Sequence, residues 1–287
     1  MKIALGTAQL GSDYGIANDR GKFHLSAIQS LLDVAQSLGV DTIDTAVSYG
    51  DAEAALGMHD LSDFKVITKV KAPPLGFSRN NADWLRVSVS EALKRLNIDC
   101  LYAVLLHSTD WLSRENAELF CREVQRLKSE GLIKLHGVSI YSPDELEAIY
   151  ALTDPDLVQA PYNAFDRRLE KSGWLNKLCG DGVEVHARSL FLQGVLLLPA
   201  SELPHYFNKW PSVFKQWRHW LKSEAADPLS GCLASVKDSR IQKYVVGVDT
   251  ESQLVQLVAA SQNTTLNRIP KFGALDEGLV DPRRWQP

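Results

Sequence analysis

The chain has 287 residues, 45% of them hydrophobic, enough to bury a large core, and its formal net charge of -4 implies no strongly basic face, so no nucleic-acid partner is expected. Its four cysteines, Cys100, Cys121, Cys179 and Cys232, are far apart and lack C-x-x-C spacing, so neither a disulfide framework nor a metal site is expected and a reducing cytoplasm fits. Met1 to Gly6 runs straight into a strand-like pattern, so no signal peptide is expected, and no run approaches the ~20 apolar residues that span a bilayer.

Ile3 to Leu5 reads as a first strand ending in Gly6-Thr7-Ala8-Gln9-Leu10-Gly11, where small residues allow a ligand close to the backbone. An ordinary turn explains that stretch equally well. A helix follows, with Ile28, Leu31, Leu32, Ala35 and Leu38 on one stripe, Ser26 as its N-cap and Gly39 as its stop. Val40 to Ile43 is a second, buried strand. It leads into Asp44-Thr45-Ala46-Val47-Ser48-Tyr49-Gly50, where a carboxylate stands five residues before a tyrosine. Phe64 to Lys69 is the third strand, and the next helix carries Leu85, Val89, Ala92, Leu93 and Leu96. Leu101 to Leu106 is nearly continuous in apolar residues, as a strand covered on both faces should be, and His107 closes it. Leu119, Phe120, Val124 and Leu127 mark another helix face, ended by Gly131.

Leu135 to Ser139 is the fifth strand, and Ser142-Pro143-Asp144-Glu145 predicts a helix start with proline at its first position. Leu157 to Pro161 is the sixth strand, Leu169 to Leu178 a helix, and Val183 to Ser189 the seventh strand. Leu190 to Ala226 is irregular and aromatic-rich, helical from Ser212 onward. Asp227-Pro228 caps a helix reaching Val236. Tyr244 to Val248 is the eighth strand, and Leu254, Leu257 and Val258 lie on a last helix face. Eight strands alternating with helices imply an α/β fold with a parallel sheet. Eight units in ~250 residues favour a closed (β/α)8 TIM barrel over an open sheet, and no G-x-G-x-x-G marks the open alternative. A single domain, 1–287, is expected, with 190–226 and 263–287 covering the mouth.

In such a barrel Asp44, Tyr49, Lys69 and His107 meet at the C-terminal ends of neighbouring strands. Singly, each has a plain explanation: a turn cap, a packed ring, a solvated lysine, a hydrogen-bonded structural histidine. Together they suit proton transfer. A tyrosine has a pKa near ~10, and a nearby ammonium favours its phenolate. Asp44 would hold Lys69 in place, His107 would polarise a carbonyl, and Tyr49 would give its proton to the forming alkoxide. No side chain delivers a hydride, so this chemistry calls for a nicotinamide cofactor.

The chain resembles the aldo-keto reductases over most of its length. The motifs that carry the resemblance are Gly6 to Gly11; Asp44-Thr45-Ala46 with Tyr49-Gly50 and Glu53; Lys69; Ser90 to Leu96 leading to His107; Gly137-Val138-Ser139; and Val158-Gln159 with Pro161-Tyr162-Asn163. The resemblance implies NAD(P)H-dependent reduction of a small carbonyl substrate, with Tyr49 as general acid, Lys69 and Asp44 tuning it, and His107 orienting the carbonyl. It further implies that Gly6, Thr7, Ala8, Asp44, Ser139, Gln159, Arg188, Ser189, Leu190, Gly247, Asp249 and Gln253 surround the cofactor, with Ser139 and Gln159 on the carboxamide. Val280 to Trp285 and Ser139-Ile140-Tyr141 resemble a subgroup found with carbohydrate and surface-polysaccharide pathways, which implies a sugar-derived carbonyl.

Three positions depart from the family pattern. Ile140 replaces a usual asparagine, and Ala187 aligns with the aromatic residue that stacks on the nicotinamide, for which Phe191 would have to substitute. Arg188 stands at a usual serine, where it would contact the cofactor pyrophosphate or make a rim salt bridge. The stretch Gly247 to Gln253 holds two acids and no base. NADP is the cofactor the family implies, and the missing base leaves NAD possible. Two other readings stay open: a non-catalytic cofactor-binding or regulatory barrel, and a lyase or isomerase using Lys69 as a Schiff-base nucleophile. The tryptophans of 190–226 and the tail would form either a stacking floor for a sugar or simple packing.

Overall fold

The computed structural model describes residues 2–12, 15, 16, 21, 23–73, 83–263, 266, 269, 270, 272 and 276–285. Eight parallel strands close into a barrel: β1 (Ile3–Gly6), β2 (Thr42–Asp44), β3 (Lys65–Val70), β4 (Leu101–Leu106), β5 (Ile133–Ser139), β6 (Leu157–Pro161), β7 (Glu184–Arg188) and β8 (Lys243–Gly247). Each pairs with the next, and β8 pairs with β1 through Ile3–Tyr244 to Gly6–Gly247. The expected α/β barrel is therefore the observed one. Closure follows from the apolar alternation. Ile67, Ala103, Leu105 and Leu157 fill the barrel interior, while residues such as Ile43, Val66, Val104, Val138 and Ala187 join the large core shared with the helices.

The helices are α1 (Ala8–Gly11), α2 (Ile28–Ser37), α3 (Ala52–Leu56), α4 (Trp84–Leu96), α5 (Arg114–Ser129), α6 (Glu145–Tyr150), α7 (Arg168–Lys171), α8 (Trp174–Gly180), α9 (Pro211–Ser223), α10 (Pro228–Val236), α11 (Glu251–Asn263) and α12 (Glu277–Val280). The Asp227 cap is as expected: its carboxylate accepts from the Ser230 amide, with Pro228 at the first position. Several local expectations fail. Ser26 lies in a 3-10 turn, Leu25–Ala27, and caps nothing. Pro143 precedes α6, whose start is held by Glu145 accepting from the Tyr141 and Ser142 amides. The expected helix over 169–178 breaks into α7 and α8 at Gly173, whose φ of 84 no helix tolerates. A buried carboxylate links three elements beside the mouth: Glu53 of α3 accepts from Thr68 of β3 at 2.5 Å and from Arg95 of α4 at 2.7 Å.

The irregular 190–226 stretch and the described part of the tail form a second apolar cluster. Phe165, Phe207, Phe214, Trp217, Trp220, Leu279 and Val280 are buried in it, and Trp285 packs edge-on against Phe207. This is a core of interlocking rings, so the aromatic residues pack rather than form a stacking floor. Residues 264, 265, 267, 268, 271, 273–275, 286 and 287 of the expected covering tail lie outside the described residues.

Candidate active site

The site starts from an ion pair sealed at the ends of β2 and β3. Asp44 and Lys69 are 2% and 1% exposed. Lys69 Nζ donates to Asp44 Oδ1 at 2.5 Å, to the Thr45 carbonyl at 3.1 Å and to Tyr49 Oη at 3.3 Å. All three ammonium hydrogens are thus used. Burial pushes the Lys69 pKa down, but Asp44 and Tyr49 outweigh it and hold it above the ordinary lysine value. A Schiff-base nucleophile needs a free neutral amine. Lys69 is neither, which removes the lyase reading. The second Asp44 oxygen accepts from Gln159 Nε2 at 2.6 Å across the barrel.

Tyr49 is placed by backbone packing. A Cβ at Gly11 would lie 1.5 Å from the Tyr49 carbonyl oxygen, and one at Gly50 would lie 2.4 Å from the Gly11 oxygen. Gly50 also takes a left-handed φ of 53. The two glycines let α1 press directly on the tyrosine loop, which fixes where the phenol returns over Asp44. The His107 ring stands edge-on to Tyr49, centroids 6.3 Å apart, and its Nδ1 is 3.1 Å from Ser48 Oγ. Burial, then the Lys69 and Arg188 charges, lower the His107 pKa to about 4 against the pull of Asp44. The ring is therefore neutral at pH 7.

A cavity of about 520 Å³ opens beside this group. Of the expected site residues, Gly6, Thr7, Ala8, Asp44, Tyr49, Gln159, Arg188, Ser189, Leu190, Gly247, Asp249 and Gln253 line it. Lys69 lies behind Asp44 and Tyr49. His107 and Ser139 are outside the lining, although Ser139 pairs in register with Gln159. Gln253 accepts from the Asp249 amide at 2.6 Å, so its carbonyl oxygen holds the loop after β8.

The loop after β7 carries features the sequence reading missed. Ser189, Leu192 and Gln193 adopt φ of 60, 50 and 52, and Gly194 follows at 91. The Leu190, Phe191 and Gln193 amides donate to no backbone acceptor among the described residues. Backbone amides left open at such a turn, here called a nest, are donors that an anion can take. Asn163 braces the nest, donating to the Ser189 carbonyl at 3.0 Å while its own oxygen accepts from Phe165 and Asp166. The Gln193-Gly194 pair was the available signal.

Two expectations about this wall are corrected. Ala187 is 1% exposed and packs into the barrel–helix core, so it is not the position that faces a nicotinamide; Arg188, the next residue, reaches the cavity. Arg188 makes no rim salt bridge among the described residues either. It donates to the Ile140 carbonyl at 3.0 Å and to Ser189 Oγ at 3.2 Å.

A nicotinamide dinucleotide fits these residues. Gln159 must turn its amide nitrogen toward the Asp44 carboxylate, which leaves its Oε1 buried without a partner beside the cavity. A carboxamide N–H would satisfy that acceptor, and the nest would take a pyrophosphate. Among the described residues no cluster of three or more His, Cys, Asp or Glu could hold a metal, and no helix is long and apolar enough to cross a membrane.

Comparison with known proteins identifies the family. The family model "Aldo/keto reductase family" matches residues 2–269. An L-glyceraldehyde 3-phosphate reductase from Escherichia coli O157:H7 is 25% identical over 309 aligned positions, covering 90% of this chain and 86% of the relative. The holo form of aldo-keto reductase AKR11C1 from Bacillus halodurans superposes with a TM-score of 0.72 at 23% identity, covering 93% of this chain and 88% of that one. An aldo-keto reductase from Klebsiella pneumoniae in complex with NADPH gives 0.68 at 20% identity, covering 92% and 87%. The chain belongs to the aldo/keto reductase family and is an NAD(P)H-dependent oxidoreductase acting on carbonyl groups.

Proposed function

We propose that in this aldo/keto reductase Tyr49 is the general acid, Lys69 and Asp44 prepare it, and His107 orients the substrate carbonyl. The observation that carries the reading is the position of Lys69 Nζ, bonded to both Asp44 and Tyr49 Oη in a sealed pocket. As the phenol gives up its proton, the ammonium stabilises the phenolate that remains. Asp44 keeps the ammonium aimed and moderates its charge. His107 is neutral, and the Ser48 hydroxyl can donate to its Nδ1. That tautomer leaves an N–H on Nε2, free to donate to a carbonyl oxygen. When bound, the nicotinamide supplies the hydride. Gln159 Oε1 and the Ser139 hydroxyl would hold its carboxamide, and the 189–194 nest its pyrophosphate.

On cofactor choice, the arm of the cavity along β8 carries Asp227 and Asp249 and neither lysine nor arginine among its described lining residues. No described residue of that arm rewards a 2′-phosphate, and on this reading NADH serves as well as NADPH. The sugar-derived substrate rests on the motif resemblance, and none of the seven tryptophans in the sequence is among the described lining residues.

The Tyr49→Phe variant tests the reading. Its kcat should fall by about 10²–10⁴, the usual worth of a general acid, while either cofactor still quenches the protein fluorescence on titration. Wild-type turnover in this variant would overturn the role of Tyr49.

A further inference from the structure

The reacting end of the cavity carries an unbalanced charge. Asp44 and Lys69 cancel each other, and the His107 ring is neutral. Arg188 is half-buried, and among the described residues no carboxylate lies within salt-bridge distance of it. The carboxylates of the segments beside it are taken. Asp281 holds Arg283 through bonds of 3.0 and 2.7 Å, Asp166 holds Arg168 at 2.9 and 2.7 Å, and Glu145 accepts from the Tyr141 and Ser142 amides. Arg188 itself donates to a carbonyl and a hydroxyl, and its guanidinium carbon lies 4.4 Å from the Tyr141 ring centroid. Those partners steady the group and leave its charge unmatched.

The guanidinium is also displaced around the rim. Arg188 ends β7, yet its Nη2 donates to Ile140, just past β5, and it stacks on Tyr141, the next residue. The strands follow one another round the barrel in the order β5, β6, β7, β8. The side chain therefore reaches back across β6, which carries Gln159, and away from the 189–194 nest and the β8 arm. Of these three places, Gln159 is the one read above as holding the nicotinamide carboxamide. The unmatched charge thus stands at the nicotinamide end, on the side opposite the nest. His107 feels it too: after burial and Lys69, Arg188 is the next cause of its lowered pKa. Exposed Lys71, just past β3, acts on His107 in the same sense.

A nicotinamide ring is neutral when reduced and cationic when oxidised. The pyrophosphate, both riboses and the adenine are the same in the two forms. Any contact to those parts cancels when the two affinities are compared, and a fixed cation near the ring does not. Inside a cavity that opposition is screened less than in water. We propose that Arg188 is a specificity-determining residue for the oxidation state of the cofactor: its unmatched guanidinium, held at the end of β5 by Ile140 and Tyr141, makes the site bind the reduced dinucleotide in preference to the oxidised one. This rests on the reductase reading above and deepens it. A site so charged takes up the reduced cofactor and releases the oxidised one, which suits the reductive direction.

The test measures dissociation constants by calorimetry for NADH against NAD⁺ and for NADPH against NADP⁺, using whichever pair binds more tightly. Wild-type protein should bind the reduced form about tenfold more tightly, the effect of one charge on another across several ångströms of protein. Arg188→Gln, which keeps an N–H donor and removes the charge, should bring the ratio close to one by tightening the oxidised form. Arg188→Lys, which keeps the charge, should keep most of the ratio. Arg188→Met replaces the glutamine variant if the latter does not fold. A wild-type ratio near one overturns the proposal, as does an equal loss of ratio in the lysine and the neutral variants. A neutral variant that binds both forms tenfold more weakly with the ratio intact also overturns it, and assigns Arg188 to the pyrophosphate. If neither pair binds, the reductase reading itself falls and takes the proposal with it.

Discussion

The two walls of the barrel mouth are built on different principles. At the ends of β2 and β3 one wall is built on a sealed, matched ion pair. Asp44 and Lys69 are sealed, every ammonium hydrogen is used, and two glycines clamp the tyrosine loop. Among the described residues, the wall from β5 to β8 is left with capacity to spare: an orphaned Gln159 oxygen, open amides beside left-handed residues, and an arginine with no carboxylate. In the proposed function the first wall holds the reacting groups in place before anything binds. The second must be completed by what binds. Preorganisation and recognition are thus divided between halves of one barrel.

The sharpest way to break the first wall is to remove its cation. Lys69→Met would leave Asp44 buried and unpaired, costing about 3–5 kcal/mol of stability, readable by denaturant unfolding. The double variant with Asp44→Asn should recover most of that stability and none of the turnover. If the double variant is no more stable than the single one, the pair is not what holds this wall. Gly11→Ala probes the clamp. Its new methyl would displace the Tyr49 backbone, and an error of this size at a reacting group lowers kcat by about 10²-fold. Steady-state kinetics with near-normal cofactor titration would show that the loss is one of placement; unchanged kcat would show that the loop relaxes freely. The mildest change falls on the second wall. Wild-type protein should bind NADPH no more tightly than NADH, and Asp249→Lys should shift that ratio toward NADPH by about tenfold, as measured by fluorescence titration. A wild type that already prefers NADPH tenfold would refute the reading of the β8 arm.

The same division decided how much of the site the sequence disclosed. Asp44, Lys69 and His107 stand at strand ends, so the barrel order alone brings them together, and the structure joins Lys69 to both Asp44 and Tyr49 by direct bonds. The far wall was less legible. Neighbouring residues on a strand face opposite sides, so a one-residue error exchanges a core alanine for a cavity arginine, as happened at Ala187 and Arg188. The aromatic stretch 190–226 looked like a cover for the mouth. Only its first residues, Leu190 to Leu198, contribute to the cavity; the rings beyond pack against the tail.

By itself the sequence determined the architecture and named the groups proposed to react. Apolar periodicity and strand-end chemistry are local quantities, and eight repeats of them favour the closed barrel over an open sheet. It could not determine partnerships made across the chain by short polar side chains or bare backbone. Ser48 meets His107 from 59 residues away, and Gln159 meets Asp44 from 115. Gly11 meets Tyr49 through backbone alone, and the left-handed turn at 189–194 is held by Asn163. Such contacts carry no periodic signal. They exist only once the barrel has closed and brought those loops to the same rim.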